Sequence, residues 1–532
     1  MFGKKVLFLL AVLLPGTIPA QTQISAVPAK PAEVQSQPLG LLPGNDQMVG
    51  KALTSLDGRH LAMLVRSGAG TLLSVDSVPG PEFEAITKDS MIFSPDGMRV
   101  ACRAQVKGRP VVVVDGQAGP DFDSIGAIFF SPDSRRFAYV AQKAGRMTVV
   151  VDGRPGPEFN VGGKTNPTFS PDGKRLAYVA QKIGTAAVVV DGQAGPEFDS
   201  VGSPVFSPDG KTLAYAAAKG EKTRIMMDGQ SGPEFTAVSM PVFSAGNRRL
   251  AYLARNGARW FLFADGQPGP EFDAIGQPVF SPDGKHLAYV AQKGAKWFVM
   301  ADGQPGSEFD AIGSPIFSPD GIRLAYVAGL GGKQVAVIDG QPGPEFDAIG
   351  KSSILFSSDS KRFAYAAVNH GKMLVVADGR CEPEYDSITD GSPLFSPDGR
   401  RLAYVAGLTN RLSVTLDGKA GAEFDGIGTP VFSPDGRRLA YVAMRGGKWF
   451  MVDNTREIQE SGECSAPVIS PDGRRLAYQT KVGDKRLIVV DGLPGPEFDG
   501  LITNTVPAFD KDNRLEYLAY KKRMLFRVTH TP

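Results

Sequence analysis

One aspartate setting, Ser-Pro-Asp-Gly, returns along the chain and holds Asp96, Asp172, Asp209, Asp283, Asp320, Asp398, Asp435 and Asp472. A ring of carboxylates would suit a hard cation such as calcium. Each of these aspartates, however, sits between a proline and a glycine, in a turn where a short carboxylate accepts backbone N–H bonds. Calcium loops supply several oxygen ligands at alternating positions, and this motif supplies one. We therefore read the eight residues as structural turn formers and expect no metal and no other cofactor.

A second recurring element is Glu-Phe-Asp, as in Glu271-Phe272-Asp273 and Glu345-Phe346-Asp347. On a strand it places two carboxylates on one side and an aromatic ring on the other. Paired carboxylates perform glycoside hydrolysis when their separation and pKa values suit. A catalytic pair needs one distinctive site and this pair recurs in most repeats, so the expectation is a packed phenylalanine flanked by solvated acids. No Gly-x-Ser-x-Gly nucleophile elbow occurs, and His60, His286, His370 and His530 have no metal-ligand spacing. These residues argue for a chain that is not an enzyme.

Basic pairs fall in one kind of turn: Lys143 and Arg146, Lys219 and Lys222, Arg255 and Arg259, Lys293 and Lys296, Arg445 and Lys448. Trp260, Trp297 and Trp449 follow directly after three of them. Tryptophans so placed anchor protein partners, stack on sugars, or cover the edges of neighbouring elements. The candidate partner contacts are accordingly Trp260, Trp297 and Trp449 with Lys293, Lys296, Arg445 and Lys448, and Trp260 and Trp297 stand in consecutive repeats.

Lys4 and Lys5 precede the apolar run from Val6 to Leu14, then Pro15, Gly16 and a small-residue end at Ala20. This pattern reads as a cleavable signal peptide over residues 1–20, and the run is too short for a membrane span. It implies a periplasmic or secreted chain without a transmembrane anchor after cleavage. Residues 21–43, rich in Pro, Gln and Ala, read as an extended linker. The formal charge is only +2, whereas a nucleic-acid binder shows a clear basic excess, so no nucleic-acid partner is expected. Cys102, Cys381 and Cys464 are too few and too scattered for a disulfide framework; Cys102 stands where other repeats place a strand tyrosine, and Cys381 in a turn.

The elements that hold these residues follow from composition and period. The 532 residues include 63 glycines and 41 prolines with 42% hydrophobic residues, which describes a turn-rich all-β protein and not a disordered one. The serine of the Phe-Ser-Pro-Asp-Gly motif or its equivalent recurs from Ser55 to Ser470 with a mean period of about 38 residues. One unit holds Thr168-Phe169-Ser170, a Pro-Asp-Gly turn, Leu176 to Gln181, a second turn, the β-branched run Ala186 to Val190, an Asp-Gly turn and an outer Gly195-Pro196-Glu197-Phe198-Asp199 segment. Four strands per period define a propeller blade.

The units Ser207 to Tyr215 and Ser433 to Tyr441 resemble the WD-repeat-like blades of TolB-type bacterial propellers, and the resemblance runs from Ala52 onward. It implies a β-propeller that binds proteins or envelope components through its ring faces, with a carbohydrate-binding or carbohydrate-cleaving propeller as the alternative. Ser244-Ala245-Gly246-Asn247 loses the motif and Ser357-Ser358-Asp359-Ser360 weakens it. Counting a decayed copy near Asp510, about thirteen blades exceed the four to eight of a usual ring. Tandem rings of six and seven blades are expected, over residues 44–277 and 278–532, with an alternative boundary near 316. The last unit lacks an outer strand, which Asn45 to Val49 could supply, in which case the rings are intertwined or the ring is single.

Overall fold

The computed structural model describes residues 33–44, 48–68, 70–160, 167–246, 249–350, 354–389, 391–460, 462–502 and 508–532. Among these residues there are strands and turns and no helix. Thirteen antiparallel sheets follow one another, each with four strand positions from innermost to outermost. We number these blades in chain order, from blade 1, whose second strand is Leu61–Ser67, to blade 13, whose second strand is Leu515–Lys521.

Blade 4 shows why the sequence folds this way. Its strands are Thr168–Phe169, Leu176–Lys182, Thr185–Val190 and Gln193–Ala194, and a bridge from Ala186 to Phe198 prolongs the outer strand. Asp191 and Gly192 both have positive φ, 50° and 82°, as the two central residues of a type I′ hairpin turn require. Blade 5 shows one element that the motif conceals: its innermost strand has two pieces, Ser200–Val201 and Val205–Phe206, both paired with Leu213–Lys219. Pro204 lies in the break, where its missing N–H costs the ladder nothing.

The core is a series of seams between blades. Alanine and tyrosine of the second strands are almost wholly inaccessible, because each blade buries both faces against its neighbours. Ala251, Leu253, Leu287 and Tyr289 join blades 6 and 7, Ala288, Val290, Tyr326 and Ala328 join blades 7 and 8, and Leu61, Met63, Leu518 and Leu525 join blade 13 to blade 1. The division into six and seven is therefore corrected: the chain forms one thirteen-bladed ring, with seams running unbroken across both residue 277 and residue 316.

Val34–Leu41 closes that ring. It pairs antiparallel with Met524–His530, from Val34 opposite His530 to Leu41 opposite Met524, and becomes the outer strand of blade 13. Within the linker expected over 21–43, Val34–Leu41 is thus a strand, because it offers backbone donors and acceptors to an otherwise open edge. The segment expected to close the blade goes elsewhere: Met48 bridges Val65 in blade 1, while residues 45–47 lie outside the described residues, as do the expected signal peptide and residues 21–32. Arg527 completes the closure by donating to the Arg59 carbonyl at 2.9 Å and to Asp76 at 3.2 Å. Arg527→Ala is expected to destabilise the chain by about 1–3 kcal/mol, the cost of losing hydrogen bonds from a charged donor, and scanning calorimetry that shows an unchanged midpoint would contradict this role.

Candidate functional site

Antiparallel strands place the first and third turns of every blade on one rim of the ring and the second turns on the other. On the first rim, Ser170 Oγ donates to Asp172 Oδ1 at 2.6 Å while accepting from the Arg175 amide at 2.9 Å, and the Lys174 amide donates to the same carboxylate oxygen at 3.2 Å. The serine–aspartate bond recurs at Asp96, Asp209, Asp283, Asp320, Asp398, Asp435 and Asp472. The serine hydroxyl, aided by the turn amide, holds Asp96, Asp172, Asp209, Asp283, Asp320, Asp398 and Asp435 below the usual carboxylate range. At Asp472 burial opposes the same donors and they still prevail. Among the described residues no three His, Cys, Asp or Glu side chains are grouped to hold a metal ion.

These turns also touch around the ring. A Cβ on Gly436 would run into the Asp398 carboxylate of the preceding blade. Where serine replaces this glycine, as at Ser134 and Ser360, its hydroxyl accepts from the Asp96 and Asp320 amides at 3.0 and 2.9 Å. The motif that looks weakened at Ser360 has gained a bond across the seam.

The sequence reading missed the residue that joins the blades on this rim. It precedes the Leu-Ala-Tyr segment and is arginine or histidine in every blade except blade 5, where it is Thr212. Arg136 is representative: Nε donates to Asp152 at 2.9 Å, Nη1 donates to the Lys174 carbonyl of the next blade at 2.6 Å, and the guanidinium lies 5.7 Å from the centre of that blade's Phe169 ring. A column of arginine or histidine at one register, broken once, is the signal that could have revealed it.

On the opposite rim, Phe272 is buried and meets Tyr289 of the next blade edge-on at 6.2 Å. The flanking acids differ from expectation. Glu271 and Glu345 are exposed, but the aspartates are seam residues: Asp310 accepts from Lys296 Nζ at 2.7 Å and from the Gly331 amide of the next blade at 2.9 Å. Lys296 and the Gly331 amide together hold Asp310 below the usual range.

Trp260, Trp297 and Trp449 are half-buried and pack on the cores of the seams after blades 6, 7 and 11. The Arg255 guanidinium lies 5.2 Å from the Trp260 ring centre. Arg445 donates to both oxygens of Glu457, at 2.9 and 3.1 Å, and covers Phe424 at 4.3 Å. Lys293 and Lys448 are exposed. Cys381 is exposed, whereas burial pushes the Cys102 and Cys464 thiols up to about 12 and about 11.

No family model matches the chain, and no curated protein matches it. Solved structures that match the chain include a eukaryotic initiation factor, at 15% identity and TM-score 0.30 over 75% of this chain and 95% of that one. The Dos1 propeller matches at 12% identity and TM-score 0.26, over 58% and 94%. The β-propeller domain of the Trilobed protease from Pyrococcus furiosus matches at 15% identity and TM-score 0.24, over 48% and 94%. The class to which the strand pairing assigns this protein is the β-propeller.

Two tests follow from the first rim and the closing blade. Gly436→Ala is expected to lower thermal stability more than Gly192→Ala: both residues have positive φ, 72° and 82°, but a Cβ at Gly192 meets nothing within 4 Å. Backbone strain alone should cost about 1–2 kcal/mol. Equal losses would remove the seam contact from the account. Burial lowers His530 to about 4, with Arg475 contributing. A depressed histidine pKa means that stability is full above the unfolded value of 6.5 and declines as pH falls towards 4. His530→Gln should flatten that part of an acid melting series.

Proposed function

We propose that this chain is an exported, non-enzymatic scaffold that binds a protein or envelope partner through the rim carrying Trp260 and Trp297. The observation that carries this reading is the pairing of charge on that rim. The repeated lysines and arginines are largely engaged by the repeated aspartates, as in Lys296 with Asp310, Lys372 with Asp386 and Lys333 with Asp347. A rim so neutralised has little to offer a polyanion, and half-exposed tryptophans in adjacent seams remain as its largest aromatic features.

Export is supported by the leader-like residues 1–20, and a TolB-like envelope role by the Ser-Pro-Asp-Gly-Lys/Arg-x-Leu-Ala-Tyr repeat. A protein partner is favoured over a glycan at Trp260 because the Arg255 guanidinium lies over its ring, where a pyranose would stack. Chemical cross-linking in the exporting cell, followed by identification of the attached protein, is expected to give one dominant adduct that Trp260→Ala with Trp297→Ala removes. An adduct indifferent to both substitutions, or glycan-array binding that depends on them, would overturn the reading.

A further inference from the structure

Seven seams share one arrangement on the serine–aspartate rim. Arg99, Arg136, Arg175, Arg249, Arg323, Arg362 and Arg475 each place the guanidinium carbon 5.3–5.8 Å from the ring centre of a phenylalanine in the following blade. Each pairs with the carboxylate of its own blade's third turn. The acceptor and the aromatic face are thus two halves of a guanidinium receptor, and the ring fills it from within.

Between blades 5 and 6 the receptor exists without its guanidinium. Thr212 stands in the arginine register. Asp228, the third-turn carboxylate of blade 5, accepts the Leu213 amide at 2.9 Å, and among the described residues no cation pairs with it. Phe243, the counterpart of Phe169, lines an open cleft of about 720 Å³ together with Thr212, Met227 and Tyr252. The equivalent cleft between blades 2 and 3, where Arg99 is present, measures about 320 Å³. Thr212, Met227 and Leu250 line the larger cleft where Arg99, Val114 and Phe137 line the smaller one, and Asp228 adjoins the larger cleft as the residue after Met227. Arg249, which also lines the cleft, is already tied to Asp265 at 2.8 Å.

We propose that the cleft between blades 5 and 6 receives an arginine side chain of a protein partner, which lies over Phe243 and pairs with Asp228. The ligand chemistry is copied from the seven filled seams: a planar cation, stacked on an aromatic face and paired with a carboxylate. The proposal rests on the scaffold reading for the source of the arginine, although this site is on the opposite rim from Trp260.

The test uses the full chain and three pentapeptides, Gly-Gly-Arg-Gly-Gly and its lysine and citrulline counterparts, titrated calorimetrically. The arginine peptide is expected to bind at least about tenfold more tightly than the citrulline peptide, with lysine between them. Asp228→Asn should weaken it by about tenfold. Thr212→Arg, which supplies the guanidinium from within, should abolish binding and raise the thermal midpoint. Equal binding of arginine and citrulline peptides, or undiminished binding by Thr212→Arg, would overturn the proposal. Tryptophan-dependent cross-linking that persists in such a case leaves the scaffold reading standing; peptide discrimination without any cross-linked protein sinks that reading and leaves the receptor.

Discussion

Most blades reach into the next with a charged group whose hydrogen-bond partners lie on both sides of the seam, and the ring depends on this joint. On one rim a guanidinium spans the seam, as Arg136 does between Asp152 and the Lys174 carbonyl. On the other an aspartate does so, as Asp310 does between Lys296 and the Gly331 amide. Hydrophobic burial makes the blades adhere, but it is not directional. The polar joints at the two rims are directional, and they fix how far each blade rotates relative to its neighbour. Repeating the same joint in most seams gives neighbouring blades a recurring contact at each rim.

The blade itself was legible in the residues. Proline, aspartate and glycine mark the first turn, Asp-Gly marks the third, and β-branched runs such as Ala186 to Val190 mark the third strand, because turn chemistry and strand propensity act over a few residues. The aspartates of the first turns accept a serine hydroxyl and a turn amide, as Asp172 does from Ser170 and Lys174. The number of rings was not legible. Six, seven or thirteen blades need the same strands and turns and differ by a small angle per seam, which no single residue encodes. Position 277 looked like a boundary because the unit before it has lost its turn motif, yet Arg249 in that unit keeps its joint to Lys285 at 2.6 Å. The joint, not the turn motif, reports continuity.

Two other residues show where local reasoning ended. The Glu-Phe-Asp acids have the same charge and lie two positions apart, but only the aspartate meets an amide of the next blade; that difference is set by packing between repeats. Likewise Thr212 looks innocuous as a residue type and is informative only against the arginines at the same register. In a repeat protein the departures carry information that the consensus cannot, since a residue that every blade needs says nothing about what one blade does.

The pairing of Val34–Leu41 with Met524–His530 also constrains the order of events during folding. Twelve blades can be laid down one after another as the chain emerges, each docking on its predecessor in a nearly one-dimensional growth. The thirteenth cannot finish until its own last strand exists, so the partner strand near the start waits with unpaired backbone groups while almost five hundred residues are made. Until then the molecule is an arc with two sticky ends. An arc has a choice that a ring does not, because its free ends can join those of another copy, and closure within one chain competes with that outcome by keeping both ends on the same molecule at high effective concentration.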